Sequence, residues 1–90
     1  MNQTPSFEEL SHLNKTLGKR ISTVKNYSLK RDLLQVAKSC ENYHRYISQE
    51  LVNCRREKKL STKYHEFMKL YIEHLDLLNQ LLVEAIIRDD

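Results

Sequence analysis

Apolar residues recur at intervals of three and four along most of the chain, the spacing that places side chains on one face of an α-helix. The pattern falls into three segments, and residues that favour a helix N-terminus precede each of them. It predicts helices over residues about 7–25, 29–58 and 62–88. A single glycine and a single proline leave little turn material for a fold of many strands. The expected fold is all-α, an antiparallel three-helix bundle of long amphipathic helices in one domain, with completion by oligomerisation as an open alternative.

The first predicted helix begins at a capping-box pattern that runs from Ser6 to Glu9. Its apolar stripe consists of Phe7, Leu10, Leu13, Leu17, Ile21 and Val24. Because the stripe keeps its spacing beyond Gly18, this glycine is not expected to end the helix early. One continuous first helix is therefore expected.

The second predicted helix is the longest and carries both cysteines. Residues 26–28 supply turn residues and an N-cap for it. Its apolar stripe consists of Leu29, Leu33, Val36, Cys40, Tyr43, Ile47, Leu51 and Cys54. A separation of 14 residues puts the Cα atoms of Cys40 and Cys54 about 21 Å apart on one helix, well beyond the ~7 Å limit for a disulfide.

We expect both thiols to be small core groups in a reducing compartment. The polar N-terminal residues lack the features of a signal peptide, and no apolar run is long enough to span a membrane. We therefore expect a cytoplasmic protein without a membrane partner.

The third predicted helix carries more apolar surface than one partner helix requires. A heptad seam consists of Tyr64, Met68, Tyr71, Leu75, Leu78, Leu82 and Ala85. A second stripe, about 100° around the axis, consists of Phe67, Leu70, His74, Leu77 and Leu81. Two neighbouring helices are implied, supplied either by the same chain or by another subunit.

If another subunit supplies one of these neighbouring helices, the third helix forms a protein interface. If the shorter first helix does not cover the whole seam, the C-terminal end of the third helix stays open to a partner or to a second copy. The residues predicted for this interface are Leu70, Leu77, Leu81, Val83, Ile86 and Ile87.

A polar strip without acidic residues runs along the second helix, opposite its apolar stripe. It consists of Arg31, Gln35, Lys38, Asn42, Arg45, Gln49 and Arg56, and we call it the basic strip. These residues fall within an arc of about 80° over about 37 Å of helix axis. Three interpretations of such a strip are open: a solvated face, a binding site for a phosphate backbone, or a binding site for an acidic protein surface. In the second case, Tyr27 and Tyr46 offer stacking surfaces for unpaired bases. The predicted binding residues are Arg31, Lys38, Arg45, Arg55, Arg56, Lys58 and Lys59.

Charge is unevenly distributed along the chain although the formal net charge is only +3. Between Lys15 and Lys38 seven bases accompany one acid, whereas between Tyr64 and Asp90 two bases accompany six acids. The first segment is therefore strongly basic and the last acidic, which indicates surfaces suited to different partners.

No motif for catalysis or metal binding stands out. Glu41 and His44 have the Glu-x-x-His spacing of helical di-iron sites, but those sites require a second such pair and two more carboxylates that converge on the same metal ions. Cys40 lies one turn from His44, yet a thiol in a packed stripe has no room for a substrate. We therefore predict no catalytic residue, metal, cofactor or small-molecule substrate.

The predicted function is that of a non-enzymatic helical binding protein, a regulator, adaptor or accessory subunit of a larger protein assembly. The alternative is a small helical subunit that contacts the phosphate backbone of nucleic acid through the basic strip.

Overall fold

In the computed structural model, which describes residues 5–57 and 62–88, the chain forms three α-helices. They are α1 (Phe7–Ile21), α2 (Tyr27–Glu57) and α3 (Thr62–Arg88). No strand occurs within the described ranges, and each helix packs on the other two. The predicted all-α three-helix bundle is therefore confirmed.

A side chain caps the N-terminus of both α1 and α2. The Ser6 Oγ accepts a hydrogen bond of 3.1 Å from the backbone N–H of Glu9. The Asn26 Oδ1 accepts one of 3.1 Å from the backbone N–H of Leu29. Each cap satisfies a donor that the first helical turn leaves free. Because Asn26 is the cap, α2 begins at Tyr27, two residues before the predicted start.

α1 ends at Ile21, so the predicted end near residue 25 is wrong. The hydroxyl groups of Ser22 and Thr23 donate to the carbonyls of Lys19 and Arg20, over 2.6 and 2.7 Å. These short bonds offer the last carbonyls an alternative to the next helical turn. Val24 keeps its place in the apolar pattern because, although it lies outside the helix, it is buried in the core.

α2 is one unbroken helix of 31 residues, as its apolar stripe predicts. At 1.5 Å per residue it is about 46 Å long, which accounts for most of the 50 Å length of the molecule. Lys58 and Lys59, two of the predicted binding residues, lie outside the described residues.

The heptad seam of α3 forms the centre of the core. Six of its seven members are buried, and Tyr64 is half-buried. The buried members contributed by α2 are Leu33, Cys40, Ile47 and Cys54. No charged side chain of the described residues is buried. The charges of the described helices therefore lie toward the surface.

Leu13 departs from the stripe predicted for α1. It is exposed, whereas the neighbouring Asn14 is half-buried and hydrogen-bonds to the hydroxyl of Tyr71. A buried tyrosine hydroxyl needs a polar partner. The face that α1 turns to the core is centred on Leu10, Leu17 and Ile21, and Leu13 lies at its edge.

α1 covers only one half of the α2–α3 pair. Its first turn lies beside the middle of both longer helices, with the ring centroid of Phe7 4.8 Å from that of His44 and 6.3 Å from that of Tyr71. From there α1 continues for 15 residues, about 22 Å, to the connection that leads into α2. Residues 48–57 and 62–70, next to the α2–α3 connection, therefore extend beyond α1.

Gly18 provides a test of the continuous first helix. It is exposed in the interior of α1, and a methyl group on its Cα would meet no other atom within 4 Å. Glycine costs a helix interior about 1 kcal/mol relative to alanine. We expect Gly18→Ala to raise the free energy of unfolding by about 0.5–1 kcal/mol, measured by urea denaturation. A loss of stability would contradict the open helical environment of this residue.

Candidate functional site

The basic strip of α2 is open to solvent. Six of its seven residues are exposed, and Asn42 is half-buried. Among the described residues no carboxylate pairs with Arg31, Lys38 or Arg45. Arg55 is also exposed, but it lies about 100° around the helix from Arg56 and therefore off the strip.

Three exposed apolar side chains lie along one edge of the basic strip, and we call them the apolar edge. They are Tyr27, Leu34 and Val52, with exposed fractions of 77%, 51% and 50%. Their separations of 7 and 18 residues place them within about 20° of one another around α2. Tyr27 and Leu34 border the start of the strip and Val52 borders its end, so this face of α2 is apolar at both ends as well as basic.

Leu34 and Val52 are not evident as site residues from the sequence pattern. Each directly follows a leucine of the apolar stripe, Leu33 or Leu51, and an isolated apolar residue on a surface is ordinary. The signal that could have identified them is their separation of 18 residues, which is five helical turns and returns to the same side of the helix.

Arg45 is held along the strip by its neighbours. Its Nη2 donates to the Asn42 Oδ1 over 3.2 Å, and its guanidinium carbon lies 5.7 Å from the centroid of the Tyr46 ring. The Tyr46 ring is in turn 5.5 Å from that of Phe67 on α3. A guanidinium stacked in this way keeps its outward N–H groups available for an anion.

The apolar residues predicted as an interface on α3 form two groups on different flanks. One consists of Leu70, Leu77 and Leu81, and the other of Val83, Ile86 and Ile87. At 100° per residue the groups are centred about 150° apart. A single flat partner surface therefore does not contact both.

Within the first group Leu81 serves the fold. It is half-buried, packs against the core and lines a cavity between α2 and α3 together with Leu29 and Ala85. Leu77 is 44% exposed, so it is the member most accessible to another molecule.

The second group occupies the last two turns of α3, where Ile87 is 67% exposed. We expected a short first helix to leave this end uncovered. The structure shows instead that α1 leaves the opposite end uncovered, next to the α2–α3 connection. The exposure of Val83, Ile86 and Ile87 follows from their place on a flank of α3.

The outward face of α3 combines acidic and apolar residues. We call it the acidic seam, and it consists of Glu66, Leu70, Glu73, Leu77, Gln80 and Glu84. All are exposed except the half-buried Leu70. Their spacing of four, three, four, three and four keeps them within about 80°, with Lys69 and Arg88 at the borders. This face lies on the far side of α3 from its buried heptad seam.

A polar cluster lies where the three helices meet. The His44 Nε2 is 2.9 Å from the Ser11 Oγ, and the Tyr71 hydroxyl donates to the carbonyl of Leu10 over 3.4 Å. Burial raises the pKa of Tyr71 to about 12 and the pKa of the Cys40 thiol to about 11. Both groups are therefore protonated at neutral pH, and the thiolate that would act as a nucleophile is scarce.

Both thiols are free and buried, as their spacing on one helix predicts. In the described ranges no three side chains of the ligating types come together as metal ligands. None of the helices described combines the length and apolar character needed to cross a bilayer.

Two surface depressions on the described helices have small volumes. One, between the start of α2 and the end of α3, measures about 140 Å³ and is rimmed by Asp32, Glu84 and Arg88. The other, beside the basic strip, measures about 210 Å³ and is lined by Asn42 and Tyr46 among others. Sites for small organic ligands typically measure about 300 to 1,000 Å³.

Compared with family models, curated proteins and solved structures, the chain matches none of them. The function is therefore argued from its own surfaces.

Burial of Tyr71 predicts a loss of stability at high pH. The folded protein holds the Tyr71 proton with a pKa of about 12, above the ordinary value of 10.0. The resulting stabilisation is complete below pH 10 and is lost as the pH rises through 12. We expect the free energy of unfolding to decrease less steeply in this range for Tyr71→Phe than for the wild type.

The control is Tyr27→Phe. Because Tyr27 is exposed, the free energy of unfolding of this variant should decrease with pH as steeply as that of the wild type. Loss of the hydrogen bond to Leu10 should also cost Tyr71→Phe about 1 kcal/mol at pH 7. Urea denaturation at a series of pH values measures both effects, and equal slopes for the two variants would contradict the role assigned to Tyr71.

Proposed function

We propose that this protein is a non-enzymatic helical binding protein, a regulator, adaptor or accessory subunit that docks through the outward faces of α2 and α3. The observation that carries the proposal is the pairing of exposed apolar side chains with charge on both faces. Leu34 lies beside the cations of α2, and Leu77 lies among the acids of α3. Apolar contact supplies affinity for a protein partner, and the charges around it supply orientation and specificity.

The chemistry of the described residues supports binding rather than catalysis. Cys40, one turn from His44, is buried, and its pKa of about 11 keeps it protonated. Both depressions are smaller than typical substrate sites. We also propose a cytoplasmic location, on the ground that two buried thiols are unpaired, as is usual in a reducing compartment.

Photo-crosslinking tests the proposed docking faces. With a photo-crosslinking amino acid in place of Leu34 or Leu77, we expect adducts of discrete mass with a protein after irradiation in the source cells. The same amino acid in place of Lys15, which is exposed on α1 away from both faces, is the control. Equal adduct yields from all three positions would count against docking by these faces.

A nucleic-acid-binding subunit is the second candidate. The observation that favours it is the basic strip, whose cations at Arg31, Lys38 and Arg45 lack a described carboxylate partner. Side-chain donors of this kind contact phosphate oxygens, and neither Arg nor Lys at these positions implies sequence-specific recognition.

Charge reversal tests this candidate. If the strip binds a phosphate backbone, reversing Arg31, Lys38 and Arg45 to Glu should weaken binding to a single-stranded oligonucleotide. It should also reduce the dependence of log K on log salt, because fewer counterions are released. Fluorescence anisotropy at several salt concentrations measures both effects. Equal affinities of the wild type and the triple variant would exclude the strip as the binding site.

A further inference from the structure

We propose that the partner of each docking face is a second copy of this chain. In this arrangement the basic strip and apolar edge of α2 in one copy pack on the acidic seam of α3 in the next. The inference rests on the proposed function and names the partner of both faces.

The two faces carry charges of opposite sign at the same repeat. Arg31, Lys38 and Arg45 recur every seven residues along α2. Glu66 and Glu73 recur at the same interval on α3, with the amide of Gln80 at the next repeat. Seven residues correspond to about 10.5 Å of helix axis. One helix laid along the other therefore brings cation to anion at successive positions rather than at a single point.

The apolar residues follow the same repeat beside the charges. On α2, Tyr27 and Leu34 are seven residues apart; on α3, Leu70 and Leu77 are seven residues apart. Each face thus combines a charged column with a pair of apolar residues seven residues apart, and the next position of each apolar repeat is an exposed glutamate, Glu41 on α2 and Glu84 on α3. This is the pattern by which two helices pack side by side at a small crossing angle, with charges flanking an apolar contact.

The position of the faces determines the kind of assembly. α2 and α3 turn their apolar stripes toward each other inside the bundle, and the basic strip and acidic seam lie on the opposite sides of the two helices. The two faces of one copy therefore point to different neighbours. Such a contact is heterologous and adds copies head-to-tail instead of closing a two-fold dimer.

The proposed contact is sensitive to salt and concentration. Exposed ion pairs each contribute only about 0.2–1 kcal/mol, and salt screens them. Raising the ionic strength from about 0.1 M to about 1 M shortens the Debye length from about 10 Å to about 3 Å. We expect the weight-average mass to increase with protein concentration at the lower ionic strength and to fall toward the monomer mass of 10.8 kDa at the higher one.

Two charge-reversed variants test the contact. The first carries Arg31→Glu, Lys38→Glu and Arg45→Glu; the second carries Glu66→Lys, Glu73→Lys and Glu84→Lys. Each alone brings like charges together across the contact, so we expect its self-association constant to fall at least about 10-fold. An equimolar mixture restores opposite charges at every contact and should recover the mass of the wild type. Analytical ultracentrifugation measures the mass, and circular dichroism confirms that each variant is folded.

A matched control reverses three exposed bases of α1, outside the two faces, with Lys15→Glu, Lys19→Glu and Arg20→Glu. This control changes the net charge as much as the first variant does, yet its weight-average mass in solution should equal that of the wild type. A further variant, Leu77→Gln, tests the apolar part of the contact. It should reduce the weight-average mass without any change of charge, because it removes the most exposed apolar residue of the acidic seam.

The outcomes separate this inference from the proposed function. A wild-type chain that stays monomeric at the lower ionic strength, or a mixture that fails to recover the mass, would overturn self-association. If adducts with a different protein then persist at Leu34 and Leu77, docking stands and only the identity of the partner changes. If the adducts are absent as well, both proposals fall.

Discussion

Burial of one apolar seam along α3 is the constraint on which the rest of the structure depends. The seam is covered by α2 over its whole length, and α1 packs against it from Tyr71 onward, where Tyr71, Leu75 and Leu78 are almost completely enclosed. Burial of this much apolar surface is the dominant favourable contribution to folding in a chain of this size. Once α2 and α1 occupy two sides of α3, its remaining side must face outward.

The outward faces acquire their character from the same constraint. An unpaired charge is costly to bury, and no charged side chain of the described residues is buried. The uneven distribution of charge along the chain is thereby converted into separate surfaces, with the basic strip on α2 and the acidic seam on α3. Leu34, Val52 and Leu77 remain exposed on these surfaces because their positions around α2 and α3 lie away from the buried stripes.

The candidate site was predictable in part. The basic strip follows from helical spacing alone, since Arg31, Lys38 and Arg45 share a side of any straight helix that contains them. The same spacing places the apolar edge and the two flanks of α3 around their helices, but it does not show which of these side chains stay exposed. Whether Leu77 is exposed and Leu81 half-buried depends on where α2 lies beside α3, which is a property of helix packing.

The number of helices, the continuity of α2 and the residues of the main core can be predicted from the sequence, because each of these follows from local periodicity and capping. Helix packing sets which half of the α2–α3 pair α1 covers, which face of α1 is buried and which apolar residues stay at the surface. The physical reason is that periodicity defines a face within one helix, whereas the position of one helix on another depends on side-chain contacts between residues far apart in the chain. The hydrogen bonds of Tyr71 with Leu10 and Asn14 are such contacts.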